Sequence, residues 1–98
     1  MSETISIVNL PEENRYEIRV GDETAGFSEY RIVREHVVFT HTVILPAFEG
    51  MGLGTRLAVF ALDDVRAQGG LRIVPRCPFV SAYVRKHNDW DDLIDWPE

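Results

Sequence analysis

The fold is decided within residues 37–68, which read VVFTHTVILPAFEGMGLGTRLAVFALDDVRAQ. The first nine residues, 37–45, alternate and predict a β-strand. One face of this strand takes Val37, Phe39, His41, Val43 and Leu45. Because both faces are largely apolar, we expect a central strand that is covered on both sides. From Leu53 to Val65 apolar residues recur every three or four positions, which predicts an amphipathic helix that ends at Gly69-Gly70.

The segments on either side of this unit complete an α+β domain. Strands are predicted before it around Ile5 to Ile7, Tyr16 to Val20 and Thr24 to Val33, and after it at Leu71 to Val74, followed by a helix from Phe79 to Lys86. Gly26 interrupts a predicted strand and indicates a bulge or a close backbone approach. The strand-helix-strand unit of residues 37–74 predicts one parallel pair in an otherwise mostly antiparallel sheet. We expect residues 1–98 to form a single domain, with 87–98 as an acidic C-terminal segment.

Charge is unevenly distributed along the chain, whose formal net charge is −6. Residues 1–45 contain four basic and eight acidic side chains, residues 46–86 contain six and three, and residues 87–98 contain none and five. An acidic chain with a single lysine, Lys86, is a poor binder of nucleic acid, because neutralisation of phosphates dominates that affinity. The locally basic middle segment still permits a site for a small anion.

Other residue types exclude several classes of protein. A lone cysteine, Cys77, excludes an intramolecular disulfide framework and a zinc site with several cysteines. His36 and His41 are five positions apart on one strand, so we expect them on opposite faces and predict no metal site. Apolar runs are too short to span a membrane. Residues 1–4 lack the features of a signal peptide, and we expect a cytoplasmic protein.

The junction between the best strand and the helix is rich in glycine. Gly50, Gly52 and Gly54 alternate there, which lets the backbone approach a ligand closely, and amides of the first helical turn favour an anion. No Lys-Ser or Lys-Thr pair follows, which excludes a Walker loop, and the glycine spacing differs from that of the dinucleotide fingerprint. By itself the motif is compatible with phosphate binding or with a flexible turn.

Around this junction the chain resembles the acetyl-CoA half of the GNAT acyltransferases, whose glycine loop corresponds to residues 49–54. More specifically, it resembles the small single-domain GNAT-like N-acetyltransferases. This resemblance rests on His41-Thr42, Phe48 to Gly54, Ala61 to Arg66, Val74 to Val80 and His87-Asn88-Asp89-Trp90. It departs at Val43, where the small proteins usually have Glu, and at Glu49, where the broad superfamily has Arg or Gln.

The resemblance implies a minimal GNAT-like fold, with a mixed sheet and two main helices, that binds acetyl-CoA. Backbone groups of residues 43–45 would pair with the pantetheine arm, and amides of residues 50–55 would hold the pyrophosphate. The implied cofactor-binding residues are Val43, Ile44, Leu45, Gly50, Met51, Gly52, Leu53, Gly54, Thr55, Arg56 and Cys77.

Three residues are candidates for catalysis. Cys77 is either a buried structural residue or, at a helix N-terminus, a nucleophile; the resemblance places it near the CoA sulfur, where it would accept the acetyl group or line the channel. Tyr83 is either a core tyrosine or the acid that protonates the CoA thiolate. His41 is either a hydrogen-bonded core residue or the base that replaces the missing Glu.

The function implied is acetyl transfer from acetyl-CoA to an unidentified amine, a small molecule or a peptide, by an enzyme that is a monomer or a weak homodimer. The alternative is a non-catalytic module that binds or senses CoA or acyl-CoA, because Val43 provides no base. For residues 87–98 we expect the aromatic and aliphatic side chains to dock while the carboxylates stay solvated; a surface that attracts a cationic amine is the alternative.

Overall fold

The computed structural model describes residues 4–97; Met1 to Glu3, which bear on the expected location of the protein, and Glu98 lie outside the described residues. The strands and helices are β1 (Ile5–Leu10), β2 (Arg15–Val20), β3 (Glu23–Val33), β4 (His36–Ile44), α1 (Leu53–Gln68), β5 (Arg72–Pro75) and α2 (Pro78–Lys86). Short 3₁₀ helices occupy Pro11–Glu13, Pro46–Phe48 and Asn88–Leu93.

The strands form one mixed sheet in the order β1-β2-β3-β4-β5. Neighbouring strands from β1 to β4 are antiparallel, and β4 and β5 are parallel. A parallel pair cannot be joined by a tight turn, so α1 makes the crossover between β4 and β5. The predicted α+β fold, with a mostly antiparallel sheet and one parallel pair, is confirmed.

A helical layer buries one face of the sheet. Helix α1 buries the side chains Leu53, Leu57, Ala58, Ala61, Leu62 and Val65, together with Gly54. Five of them belong to one hydrophobic cluster with the fully buried Tyr16, Ile18 and Phe39 of the sheet and with Val80 and Val84 of α2: Leu53, Leu57, Ala61, Leu62 and Val65. The spacing that predicted the helix is therefore the spacing of its buried stripe.

A β-bulge interrupts the alternation of side chains along β4, so the unbroken alternation expected from the sequence is wrong. Tyr30 is opposite Phe39 but Glu29 is opposite His41, so Thr40 is the extra residue. From His41 onward the inward and outward positions are exchanged. The expectation that His36 and His41 lie on opposite faces of the strand is therefore wrong. Phe39 is fully buried, whereas Val43 is 39% exposed. The expectation that the whole strand is covered on both sides is wrong for its second half.

Gly26 of β3 lies directly against this second half of β4. The register of β2 and β3 leaves Ala25 unpaired beside it, which is a second bulge. A Cβ atom built on Gly26 would lie 2.6 Å from Cδ1 of Ile44 and would collide with the carbonyl oxygen of Val43. The predicted bulge and close backbone approach at Gly26 are therefore confirmed.

The acidic C-terminal segment is docked through both apolar and charged side chains. Trp90 is buried and donates its Nε1 hydrogen to Asp63 over 3.0 Å. Arg66 Nη2 is 2.8 Å from Asp92, and Arg72 Nε is 2.6 Å from Asp95. The docking of aromatic groups was expected, but these two carboxylates pair with arginines rather than remaining free in solvent.

The hydrogen bonds at Asp95 stabilise its charged form. The bond from Arg72, followed by the bond from His36, lowers the pKa of Asp95 from 3.8 to about 2. The hydrogen bond from Arg66 lowers the pKa of Asp92 in the same way. Charge complementarity thus holds the last described residues against β5 and α1.

Candidate functional site

A cavity of about 260 Å³ lies where β4 gives way to α1. It is lined by Ile44, Phe48, Glu49, Gly50, Gly52, Leu53, Gly54, Thr55 and Phe79. Gly50 and Gly52 have φ angles of +83° and +73°, in the left-handed region that side chains disfavour. A Cβ atom built on either would meet no heavy atom of the described residues within 4 Å. The backbone therefore faces open space that side chains would otherwise fill.

The start of α1 makes this glycine cavity suitable for an anion. Helix α1 spans 16 residues, and no side chain within residues 4–97 caps its first turn. The first amides of a helix lack intrahelical partners, and the helix dipole adds positive potential there. The site can accept a phosphate group from the backbone alone. Glu49 opposes this, because its carboxylate is the negative group in the lining.

The glycine cavity opens beside a strand edge that has no partner among the described residues. Strand β5 pairs with β4 as far as Phe39 and Pro75, and the amide of Cys77 donates to the carbonyl of Phe39 over 2.8 Å. There the chain enters α2, whereas β4 continues to Ile44. Backbone groups on this free edge of β4 can hydrogen-bond an extended ligand as an added strand would.

Cys77 sits at the point where β4 and β5 separate. It is 1% exposed and immediately precedes α2. Its thiol donates to Oγ1 of Thr42 over 3.2 Å, and the Thr42 hydroxyl is 2.9 Å from the hydroxyl of Ser28. The bulge in β4 turns Thr42 toward Cys77, so both hydroxyl partners were missed by the sequence analysis, which assumed unbroken alternation.

His41 is not the core residue that one interpretation predicted. Its side chain is 73% exposed, and its Nδ1 lies 3.6 Å from Oε1 of Glu29. The bulge places it with Val43 on the sheet face opposite Thr42 and Cys77. The prediction that it acts as a base stays a prediction, and the structure adds Glu29 as its charged neighbour.

Tyr83 lines a different cavity. With Phe79, Ala82 and Lys86 it lines a cavity of about 190 Å³ on α2. Its ring stacks on His87 at a centroid distance of 4.3 Å and lies 5.9 Å from Trp90. Tyr83 is six positions after Cys77, which corresponds to about 9 Å along a helix axis. The structure therefore does not place the two candidates for the sulfur end at one point, and the acid role of Tyr83 stays a prediction.

The cofactor-binding residues implied by the resemblance divide into two groups. Ile44, Gly50, Gly52, Leu53, Gly54 and Thr55 line the glycine cavity, whereas Val43, Leu45, Met51, Arg56 and Cys77 do not. Arg56 lines a cavity on another side of α1, with Ile7 and Phe60. Phe48 and Phe79 line the glycine cavity and were not predicted as site residues. Phe79 lies at helical spacing in α2, where an aromatic residue resembles any core residue.

Within residues 4–97 no group of three His, Cys, Asp or Glu side chains converges as metal ligands. In the same part of the chain no helix is long and apolar enough to cross a membrane.

The chain is similar to known proteins in both sequence and fold. A family described as GCN5-related N-acetyl-transferase matches residues 15–93. The fold is similar to the solution NMR structure of a GCN5-like, provisionally assigned N-acetyltransferase from Staphylococcus aureus, with a TM-score of 0.70, 23% identity and coverage of 95% of this chain and 90% of that chain. The curated proteins offer no match to the sequence. Residues 15–93 include the lining of the glycine cavity, the lining of the cavity beside Tyr83, and Cys77.

Proposed function

The chain belongs to the GCN5-related N-acetyltransferase family, and from this premise we propose that it transfers an acetyl group from acetyl-CoA to the nitrogen of an amine. The observation that supports this most strongly is the position of the glycine cavity directly beside the free edge of β4. In acetyl-CoA a pyrophosphate joins the adenosine 3′-phosphate to an extended pantetheine arm that contains two amide groups. The glycine cavity can bind the pyrophosphate, and the free edge of β4 can bind the pantetheine arm. The cavity and the edge are neighbours, as the two parts of the ligand are.

The glycine cavity fits the pyrophosphate. The backbone at Gly50 and Gly52 is left-handed and open, and the uncapped amides at the start of α1 provide donors without any lysine. Thr55 lines the same cavity and offers a hydroxyl. We assign Gly50 to Thr55 to pyrophosphate binding, and we assign the edge of β4 that ends at Ile44 to the pantetheine arm.

The reacting end would then lie near the separation of β4 and β5. When bound, acetyl-CoA supplies a thioester whose carbonyl carbon an amine can attack. An unpaired N–H of β4 would stabilise the developing oxyanion. His41, with Glu29 beside it, would take the proton from the amine.

We assign the sulfur end to Cys77 rather than to Tyr83. Its thiol already donates a hydrogen bond to Thr42, and Thr42 is bonded in turn to Ser28. These hydroxyls can act as donors or acceptors, so they can support the thiol or the thiolate. Cys77 would give its proton to the departing sulfur as the carbon–sulfur bond breaks, and would regain one from solvent afterwards.

The experiment that tests the proposal measures free CoA thiol released from acetyl-CoA over a panel of primary amines, with intact-mass analysis of the protein. Thiol release that needs an amine, and that falls in the Cys77→Ala variant, is the expected result. If the wild-type protein becomes acetylated and the Cys77→Ala variant does not, Cys77 acts as a covalent nucleophile and not as an acid. Tight CoA binding without turnover on any amine would contradict the proposed acetyltransferase activity. It would favour the second candidate, a CoA-sensing module, which is suggested by the absence of a carboxylate at Val43.

A further inference from the structure

One stripe of side chains on α2 is not used by the proposed reaction. Phe79, Ala82, Tyr83 and Lys86 occupy helical positions i, i+3, i+4 and i+7, so they lie on one face of α2. They line the second cavity, of about 190 Å³. The stripe extends over about 10 Å of helix axis. Phe79 is 41% exposed, so part of its ring is accessible to a ligand.

This stripe is continuous with the glycine cavity. Phe79 lines both cavities. Its ring lies over Gly54 in the first turn of α1, where a Cβ atom would come within 2.8 Å of the ring carbon Cζ. A ligand whose phosphates occupy the glycine cavity can therefore extend across the Phe79 ring and onto α2 without leaving the surface.

Lys86 provides a positive charge at the far end of the stripe. Nearby arginines are engaged elsewhere: Arg85 stacks on Trp96 at 4.2 Å, Arg66 pairs with Asp92 and Arg72 pairs with Asp95. Lys86 is exposed and has no ion pair among the described residues. Because the C-terminal end of a helix repels anions, an anion held at this end of α2 would depend on the lysine.

We propose that the stripe binds the adenosine 3′-phosphate end of CoA, an inference that rests on the function proposed above. Phe79 and Tyr83 provide an apolar aromatic surface on which the adenine base can stack. Lys86 pairs with the 3′-phosphate, as a lysine does with a phosphate group. The assignment gives Tyr83 a binding role through its ring, in place of an acid role through its hydroxyl.

The test compares CoA with 3′-dephospho-CoA by titration calorimetry, since the two ligands differ only in the phosphate assigned to Lys86. The wild-type protein is expected to bind CoA about 5- to 10-fold more tightly. The Lys86→Met variant is expected to lose this preference and to bind 3′-dephospho-CoA as the wild type does, which shows that its fold is intact. The matched control is Arg85→Met, which removes the adjacent charge on the Trp96 side of α2 and is expected to keep the preference.

Stacking is tested separately with CoA. Tyr83→Ala is expected to weaken CoA binding several-fold, and Tyr83→Phe is expected to restore it, because the ring and not the hydroxyl makes the contact. Equal binding of the two ligands by the wild type, or equal loss of preference in Lys86→Met and Arg85→Met, would overturn the subsite while leaving the glycine cavity in place. Failure of both ligands to bind would overturn the proposed function as well.

Discussion

Replacing Gly52 with Asn and, separately, with Asp tests anion binding at the start of α1. Gly52 has a φ angle of +73°, and a Cβ atom there would meet nothing within 4 Å. Either side chain would therefore extend into open space without a collision. Asn and Asp both tolerate left-handed backbone, so the strain in the two variants is similar, about 1 kcal/mol. Only Asp adds a negative charge at the mouth of the glycine cavity.

The size of the expected effect follows from the openness of the cavity. The interaction energy between two unit charges about 4 Å apart is about 1 kcal/mol in water and about 4 kcal/mol in a partly buried site. For a solvent-open cavity we expect the lower part of this range, about 1–2 kcal/mol. The dissociation constant for CoA is therefore expected to be about 5- to 30-fold higher in Gly52→Asp than in Gly52→Asn.

The assay is titration calorimetry with CoA at low and at physiological salt, with thermal unfolding of both variants as the control for stability. The Asp–Asn difference is expected to shrink as salt is added, since screening weakens exposed charges. Equal affinities for the two variants at low salt, with equal unfolding temperatures, would refute the assignment of the pyrophosphate to this cavity.

Three further predictions concern other parts of the molecule. Glu49→Gln removes the carboxylate from the glycine cavity and is expected to raise CoA affinity about 2- to 5-fold at low salt; calorimetry showing unchanged affinity would mean that Glu49 does not face the phosphates. Gly26→Ala forces a Cβ atom against the backbone of β4 and is expected to lower the free energy of unfolding by about 2–3 kcal/mol; urea denaturation with an unchanged midpoint would contradict the close approach. The pKa of Asp95 is lowered from 3.8 to about 2, so its stabilising effect is complete above pH 3.8 and is lost as the pH falls toward about 2. Both tryptophans lie in the C-terminal segment, so their fluorescence should change across this pH range. In the Arg72→Met variant the fluorescence change is expected at a higher pH. An identical pH profile in that variant would refute the pairing of Arg72 with Asp95.

The elements that the sequence predicted well are those whose pattern is local. Helix α1 was recognised from the three- and four-residue spacing between Leu53 and Val65, which is the stripe that packs on the sheet. The parallel pairing of β4 and β5 followed from the strand-helix-strand order. The glycine junction was recognised because alternate glycines are rare without a backbone reason, and its left-handed residues supply that reason.

The errors arise from tertiary structure that leaves no mark in a local pattern. The extra residue Thr40 reverses which side chains of β4 point inward from His41 onward. For this reason one interpretation placed His41 in the core, and no partner was predicted for Thr42. The contact between Cys77 and Thr42 joins residues 35 positions apart. The two cavities that share Phe79 depend on how α1 and α2 meet, which residue spacing within either helix cannot reveal.

The most direct test of the central claim is an NMR titration of ¹⁵N-labelled protein with CoA. The account predicts the largest amide shifts at Gly50, Gly52 and Gly54 of the glycine cavity, followed by the free edge of β4 at Ile44. Shifts confined to residues far from both features, such as β1, with the three glycine amides unmoved at saturation, would contradict it.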